Sequence, residues 1–152
     1  MLIDEGHDVE TPWLKLAAQM VDPATNSLLL LCDDAQSIYA WGDMVITCRH
    51  YTEMERCAAV LRHRQLPHEV RKGSGTFHPL ADTIKILTMH ASKGLEFPVV
   101  AVSGAGHMPE DGHDETEEAR LFYVAATRAT QRLIIPLSGS GKFAARLAAA
   151  AT

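Results

Sequence analysis

Two adjacent carboxylates stand near the amino end of the chain. Asp4 and Glu5 come directly after the apolar residues at 2–3. A carboxylate at the end of a buried strand can hold a magnesium ion, and its neighbour can polarise the water that attacks a nucleotide phosphate. This pair permits nucleotide hydrolysis, but taken alone it favours a solvated strand end.

A second acidic pair follows a longer apolar run. Asp33 and Asp34 come after Leu28–Leu31, and Gln36 stands two positions further on. A glutamine at a strand end can hydrogen-bond a terminal phosphate or an attacking water. This pattern is again compatible with phosphate chemistry without proving it.

The elements that must position these side chains alternate along the chain. Apolar runs between turn residues predict strands at 27–34, 44–49, 68–72, 83–90, 98–104 and 132–137, with a strand end at 1–4. Helical spacing and capping residues predict helices at 12–20, 52–64, 114–129 and 142–150. Phe122, Tyr123 and Val124 of the third helix are predicted to be core residues. The alternation predicts an α/β fold, a mainly parallel sheet with helices on both faces.

Composition sets limits on the class of protein. The chain has 152 residues, of which 47% are hydrophobic and 22% charged, as in ordinary globular domains. No apolar stretch approaches the ~20 residues of a transmembrane helix, and no signal peptide is visible, so a cytoplasmic protein without a membrane partner is expected. A net charge of −5, from 19 acids and 14 bases, argues against a wholly basic nucleic-acid binder but allows a local basic track.

Cysteines and histidines offer two further kinds of site. Cys32, Cys48 and Cys57 show no C-x-x-C spacing, so buried reduced thiols are expected rather than a disulfide framework or a zinc site. His107 and His113 lie near Asp111 and Asp114 and could imitate a metal site, but a solvated loop is the expected interpretation.

Four segments together resemble a known family. They are LIDEGHD (2–8), LCDDAQSIYAW (31–41), IKILTMHASKGLEFPVV (84–100) and EEARLFYVAATRATQRLII (117–135). In that order they resemble motifs II, III, V and VI of the UvrD/Rep-type superfamily 1 DNA helicases, and residues 44–73 resemble the start of that family's second RecA-like domain. The resemblance covers nearly the whole chain. It implies a RecA-like fold, with 1–43 a remnant of the first lobe and 44–152 the second RecA-like domain.

The resemblance implies the first half of an ATP site in the amino-terminal segments. Asp4 would bind Mg²⁺, Glu5 would be the catalytic base for ATP hydrolysis, and Gln36 would sense the γ-phosphate and link it to DNA.

The resemblance places three further residues at the nucleotide. Gly94 and Glu96 match positions near ATP, with Glu96 a candidate for the ribose hydroxyls. Arg128 matches the arginine finger, whose charge offsets that developing on the transferred phosphoryl group. Judged without the resemblance, Arg128 is instead expected to pair with Glu118 or Asp114.

Four residues match the family's contacts with single-stranded DNA. Tyr39 and Trp41 would lie near the strand, where stacking on a base contributes about 1–3 kcal/mol. Thr88 and His90 match positions that contact the DNA backbone. As alternatives, Tyr39 and Trp41 could be core residues, and His90 a strand-end histidine.

The sequence also departs from the family pattern. No G-x-x-x-x-G-K-[ST] phosphate loop occurs in the 152 residues, and Gly42 stands where the family has an arginine after the motif III aromatic. The N-Y-R segment of motif IV and the inserted 2B subdomain are also missing between Trp41 and Met44. These gaps indicate the tail of one lobe joined by an internal deletion to most of the other.

Three functions are compatible with this pattern. The first is a fragment of an ATP-dependent 3′-to-5′ DNA helicase or translocase, inactive alone, which contributes DNA contacts and an arginine finger. The second is a non-catalytic binding or interaction module. The third is a partner that completes an ATPase with a separate lobe or subunit carrying the phosphate loop.

Overall fold

The computed structural model of the chain describes residues 2–3, 28–32, 40–73, 78 and 80–150. Within these residues the strands are β1 Leu2–Ile3, β2 Leu28–Cys32, β3 Met44–Cys48, β4 His68–Val70, β5 Ile84–Thr88, β6 Phe97–Val102 and β7 Ala129–Pro136. The α-helices are α1 Tyr51–His63, α2 Glu115–Ala126 and α3 Lys142–Ala150. Short 3₁₀ helices span Trp41–Asp43, His90–Ser92 and Ala105–His107. The helix predicted at 12–20 lies outside the described residues.

The strands form one sheet in the order β1-β2-β7-β6-β3-β5-β4. The five strands from β7 to β4 run parallel to one another, whereas β2 pairs antiparallel with β7 and β1 runs parallel to β2. The sheet is therefore mainly parallel, as the alternation of elements predicts.

Both faces of the sheet are covered by helices. One buried cluster joins sheet residues to α2 and α3: Val45, Leu87, Val100, Ala125 and Phe143. The other joins sheet residues to α1: Ile46, Ile86, Ala101, Met54 and Leu61. Successive residues of a strand alternate between the two clusters, so a strand buried on both faces is apolar along its length. This explains the continuous apolar runs and confirms the α/β, RecA-like fold class.

The boundary between α2 and β7 differs from the prediction. The helix predicted at 114–129 ends three residues earlier, and β7 begins three residues before its predicted start. The Thr127 hydroxyl donates to the Tyr123 carbonyl at 2.9 Å, and Arg128 Nε donates to the Val124 carbonyl at 2.9 Å. The Tyr123 carbonyl also accepts the Thr127 amide at 3.0 Å, whereas the Arg128 amide donates to the Ala125 carbonyl, three positions back, at 3.2 Å. The i→i−4 pattern of the helix therefore stops at Thr127.

The prediction that Tyr123 is a core residue is wrong. Tyr123 is 68% exposed, whereas Phe122 packs edge-on against Phe143 with ring centroids 6.0 Å apart. Successive helical residues are about 100° apart around the axis, so a helix that covers a sheet with one face turns the next residue away. Val124 is half-buried.

A buried lysine and a carboxylate join β5 to the edge strand β4. The ammonium of Lys85, which is fully buried, donates to Thr83 Oγ1 at 2.6 Å, to the Ala81 carbonyl at 3.0 Å and to Glu69 Oε2 at 3.3 Å. Glu69 Oε1 also accepts a hydrogen bond from His78 Nδ1 at 2.9 Å. Burial raises the pKa of Glu69, but the hydrogen bonds from His78 and Lys85 outweigh it and hold that pKa below the ordinary 4.5.

We expect Glu69 to make stability depend on acid pH. A carboxyl whose pKa is lowered by folding contributes stability that is present above its unfolded pKa and lost as the pH falls through its folded pKa. Glu69→Gln should therefore lower the unfolding free energy near neutral pH and make it decline less steeply below about pH 4.5. Urea unfolding across that pH range measures this. Glu117→Gln, at an exposed position of α2, should keep the wild-type slope. A wild-type slope in Glu69→Gln would contradict the expectation.

Candidate functional site

The structure describes six of the ten predicted site residues. Asp4, Glu5, Gln36 and Tyr39 lie outside the described residues, so their roles stay predictions. The other six lie in three places. Gly94 and Glu96, in the loop before β6, lie beside Arg128 in the turn between α2 and β7. Thr88 and His90 lie at the carboxyl end of β5, and Trp41 lies in the 3₁₀ helix before β3.

The turn between α2 and β7 brings Arg128 against the loop that leads into β6. Arg128 Nη1 donates to the Leu95 carbonyl at 3.3 Å, and the Phe97 amide donates to the Arg128 carbonyl at 2.9 Å. These two bonds bracket Glu96. Three residues predicted at one nucleotide, Gly94, Glu96 and Arg128, are thus brought together although Arg128 is more than 30 positions from the other two.

Within the described residues, the guanidinium of Arg128 donates only to neutral acceptors. Besides the carbonyls of Val124 and Leu95 it donates to Thr127 Oγ1, at 3.1 Å from Nη2. Among the residues that the structure describes, no carboxylate oxygen lies within 4.0 Å of its nitrogens. A half-buried cation without a counter-ion favours the approach of an anion.

The ion pairs predicted for Arg128 from its own surroundings are absent from the described part of the chain. Glu118 is buried and instead pairs with Arg49, whose Nη2 donates to Glu118 Oε1 at 2.6 Å and whose Nε donates to both carboxylate oxygens. Asp114 caps α2 by accepting from the Glu117 amide at 2.9 Å. Both acids are engaged elsewhere, so the structural alternative for Arg128 is wrong.

Gly94 and Glu96 form the loop that faces this arginine. Gly94 has a φ of +79°, and a Cβ built on it would meet nothing within 4 Å, so backbone conformation and not crowding favours glycine here. Glu96 is exposed, and its carboxylate has no hydrogen bond or ion pair with any other described residue. An exposed carboxylate of this kind can accept hydrogen bonds from a pair of hydroxyl groups.

The carboxyl end of β5 presents a histidine to solvent. Thr88 Oγ1 accepts a hydrogen bond from the Ala91 amide at 3.2 Å, and Ser92 Oγ donates to the Met89 carbonyl at 2.7 Å. The Met89 amide in turn donates to the Cys48 carbonyl at the end of β3, at 2.9 Å. These bonds fasten the 3₁₀ helix that starts at His90, which is exposed. The Thr88 hydroxyl is half-buried and already in use within this turn.

The neighbouring carboxyl end of β3 carries an ion-pair network that the sequence analysis missed. Arg49, whose pKa is raised chiefly by its hydrogen bonds to Glu118, ties β3 to α2. Glu53 accepts the Arg49 amide at 2.8 Å, and His50 pairs with Glu110. The sequence contains no local signal for the Arg49–Glu118 pair, because its members stand 69 positions apart.

The histidines of the loop before α2 do not form a metal site in the described part of the chain. His113 Nδ1 lies 3.4 Å from Glu110 Oε2, and His107 is exposed beside Gly139. Across the described ranges no three His, Cys, Asp or Glu side chains are grouped so that they could hold a metal ion.

Trp41 lies in the short 3₁₀ helix that precedes β3. It is half-buried and packs against the cluster between the sheet and α1, as its core alternative predicts. Next to it, the Gly42 amide donates to Asp82 Oδ1 at 2.8 Å, and a Cβ at Gly42 would stand 3.0 Å from the Ala81 carbonyl. The close approach of this backbone explains why a glycine suits position 42, where the resemblance expects an arginine. A contact of Trp41 with DNA stays a prediction.

Comparison with known proteins identifies relatives of this fold. The family model for the UvrD-like helicase C-terminal domain matches residues 32–140. The chain is 48% identical over 59 residues to the ATP-dependent DNA helicase UvrD1 of Mycobacterium leprae, covering 34% of this chain and 8% of that protein. It is 42% identical over 67 residues to the ATP-dependent DNA helicase PcrA of Staphylococcus epidermidis and of Staphylococcus aureus, covering 36% of this chain and 9% of those proteins. The chain thus matches less than a tenth of the length of these relatives.

A solved structure shares the fold. The C-terminal domain of a possible DNA helicase from Lactobacillus plantarum superposes with a TM-score of 0.55 at 22% identity, covering 72% of this chain and 65% of that one. Among the described residues no helix has the length and apolar character needed to cross a membrane.

Proposed function

This chain belongs to the UvrD-like helicase C-terminal domain family, and from that premise we propose that it is a fragment of an ATP-dependent 3′-to-5′ DNA helicase or translocase. In this proposal it supplies the second-lobe side of an ATP site and part of the edge that contacts single-stranded DNA. Residues 1–43 are a remnant of the first lobe and 44–152 form the second RecA-like domain. The protein acts in the cytoplasm.

One observation carries the proposal: Arg128 is held beside Glu96 with no carboxylate partner among the described residues. A guanidinium so placed can offset the negative charge that develops on a γ-phosphoryl group. Its bonds to the Val124 and Leu95 carbonyls fix the side chain at the start of β7, so little ordering is needed when the anion arrives. Glu96, adjacent to Leu95, binds the ribose hydroxyls.

The remaining parts of the ATP site come from elsewhere. Asp4 would hold Mg²⁺, which would offset the charge of the ATP phosphates, while Glu5 would activate the attacking water and Gln36 would sense the γ-phosphate. The 152-residue sequence contains no G-x-x-x-x-G-K-[ST] motif, so in this proposal another lobe or subunit supplies the phosphate loop. The same feature favours the second candidate function, a non-catalytic binding module. Loss of ATP hydrolysis on substitution of Arg128, in an assay that supplies the loop, separates the two.

We expect His90 to contribute to DNA binding at the carboxyl edge of the sheet. His90→Ala should raise the Kd for a fluorescein-labelled oligothymidylate by about three- to tenfold, the loss of one or two hydrogen bonds. Fluorescence anisotropy at low salt measures this, because phosphate contacts weaken as salt rises and the net charge of −5 disfavours tight binding.

A second exposed histidine provides the matched control. His63 ends α1, and because α1 starts at the carboxyl end of β3 and crosses the sheet, His63 lies towards the opposite edge. His63→Ala should bind like the wild type. Equal weakening in both variants, or in neither, would contradict a specific contact at His90.

A further inference from the structure

Two thiols face each other between the sheet and α1. Cys48 is the last residue of β3, Cys57 lies on the buried side of α1, and their Sγ atoms are 4.0 Å apart. Both thiols are free and buried, Cys48 completely and Cys57 with 8% exposure. The third neighbour is Ser103, whose Oγ lies 3.9 Å from Cys57 Sγ. The helicase proposal uses neither thiol.

We propose that Cys48 and Cys57 form a redox modification site, in which peroxide converts the two thiols into a reversible disulfide. The sulfurs are already in van der Waals contact, and a disulfide needs them to approach to about 2.05 Å. The pair joins a strand end to a helix across the cluster that contains Met54 and Ala58. Forming the disulfide requires the two sulfurs to move about 2 Å closer together, with the strand and the helix keeping their places in the fold.

Cys57 is the thiol that reacts first. The hydrogen bond from Cys48 lowers the pKa of Cys57, and the same contact, together with burial, raises the pKa of Cys48. Cys57 is also the more exposed of the two. The thiolate is the nucleophilic form of cysteine, so access and ionisation favour the same sulfur.

The chemistry balances with hydrogen peroxide as the oxidant. The Cys57 thiolate attacks one peroxide oxygen, the O–O bond breaks, and hydroxide leaves, taking up the proton that Cys57 released. Cys48 Sγ then attacks Cys57 Sγ of the sulfenic acid, and the displaced hydroxide takes the proton of Cys48. Two thiols lose two electrons and two protons, and one peroxide becomes two waters. A dithiol reductant reverses the oxidation.

The Cys48–Cys57 disulfide would lie next to the ion-pair network at the carboxyl end of β3. Cys48 precedes Arg49, which holds Glu118 of α2, and Cys57 stands one turn after Glu53, which holds the Arg49 amide. A disulfide would therefore tie the strand end that carries Arg49 to α1. This makes the site distinct from Gly94, Glu96 and Arg128, which lie before β6 and β7.

Intact-mass analysis of the whole chain tests the proposal. In a Cys32→Ser variant, peroxide should remove two hydrogens, block both remaining thiols from N-ethylmaleimide under denaturing conditions, and form no disulfide between chains. Dithiothreitol should restore two alkylations. A peptide map of the oxidised wild-type chain, which needs no substitution, should show a fragment that links Cys48 to Cys57.

Single substitutions test the order of the steps. With Cys32→Ser and Cys48→Ser combined, Cys57 should stop at the sulfenic acid and react with dimedone, whereas Cys57→Ser should leave Cys48 unreacted. Circular dichroism confirms that each variant is folded. Two alkylated thiols after peroxide treatment of the folded Cys32→Ser chain, a link that involves Cys32 in the wild type, or a link between molecules would each overturn the proposal.

Discussion

Replacement of Arg128 by alanine is expected to abolish the ATP hydrolysis that this chain supports together with a lobe that carries a phosphate loop. An arginine finger raises kcat by about 10³- to 10⁵-fold, so the loss should be of that order. The physical reason is the charge at this turn, where the guanidinium bonds to neutral oxygens alone among the described residues. Alanine leaves the charge that develops on the γ-phosphoryl group without this partner.

The measurement is phosphate release in the presence of single-stranded DNA. The chain is combined with a separately produced helicase lobe chosen because its sequence contains the G-x-x-x-x-G-K-[ST] phosphate loop, and each variant is compared at equal concentration. Arg62→Ala is the matched control, since Arg62 is exposed on α1, which covers the opposite face of the sheet from α2. It should hydrolyse ATP like the wild type. Undiminished hydrolysis by Arg128→Ala would refute the assignment.

Arg128→Lys distinguishes geometry from charge. An ammonium carries the same charge but lacks the planar, multiply donating group that bonds to the Val124 and Leu95 carbonyls at once. Lysine should therefore recover only a small part of the rate. Full recovery by lysine would show that charge alone suffices at this turn.

Local patterns predicted the elements better than their ends. The apolar run at 44–49 gives β3 and the helical spacing at 52–64 gives α1, each within one residue of the structure. The predicted end of α2 lies three residues too late because β7 pairs with β6 from Ala129, opposite Phe97, and no window around the helix contains that strand partner. A prediction from apolar periodicity continues a helix for as long as the apolar residues continue, here into the first residue of β7.

The candidate site required information of another kind. Spacing alone does not bring Gly94 or Glu96 near Arg128. The two acids that local reasoning offers Arg128, Glu118 and Asp114, bond instead to Arg49 and to the Glu117 amide. Only the family resemblance placed the three together in one site. Glu118 contacts Arg49 because parallel strands put the end of β3 beside the start of α2, a consequence of strand order that the sequence does not state.

The Arg49–Glu118 pair should have the largest effect on stability. The exposed fractions of the two side chains are 16% and 4%, and Arg49 donates three hydrogen bonds to the carboxylate. Glu118→Ala leaves the guanidinium partly buried without its counter-ion, which should lower the unfolding free energy by about 3–5 kcal/mol. Urea unfolding followed by circular dichroism measures the change. Loss of Glu55, whose pair with Lys72 is exposed, should leave the midpoint unchanged.

The expected loss of stability in Glu118→Ala comes from the Arg49 charge that is left without a partner, and not from the hydrogen bonds themselves. Removing both charges in Arg49→Met with Glu118→Leu should therefore destabilise the chain less than Glu118→Ala alone, since buried ion pairs are often replaceable by apolar groups of similar volume. Equal or greater loss in the double variant would show that the pair stabilises the fold beyond mutual compensation. Glu118 bonds to Arg49 and not to Arg128, so the double variant should leave the surroundings of Arg128 unchanged. Its ATP hydrolysis with the added lobe should therefore remain, whereas that of Arg128→Ala is lost.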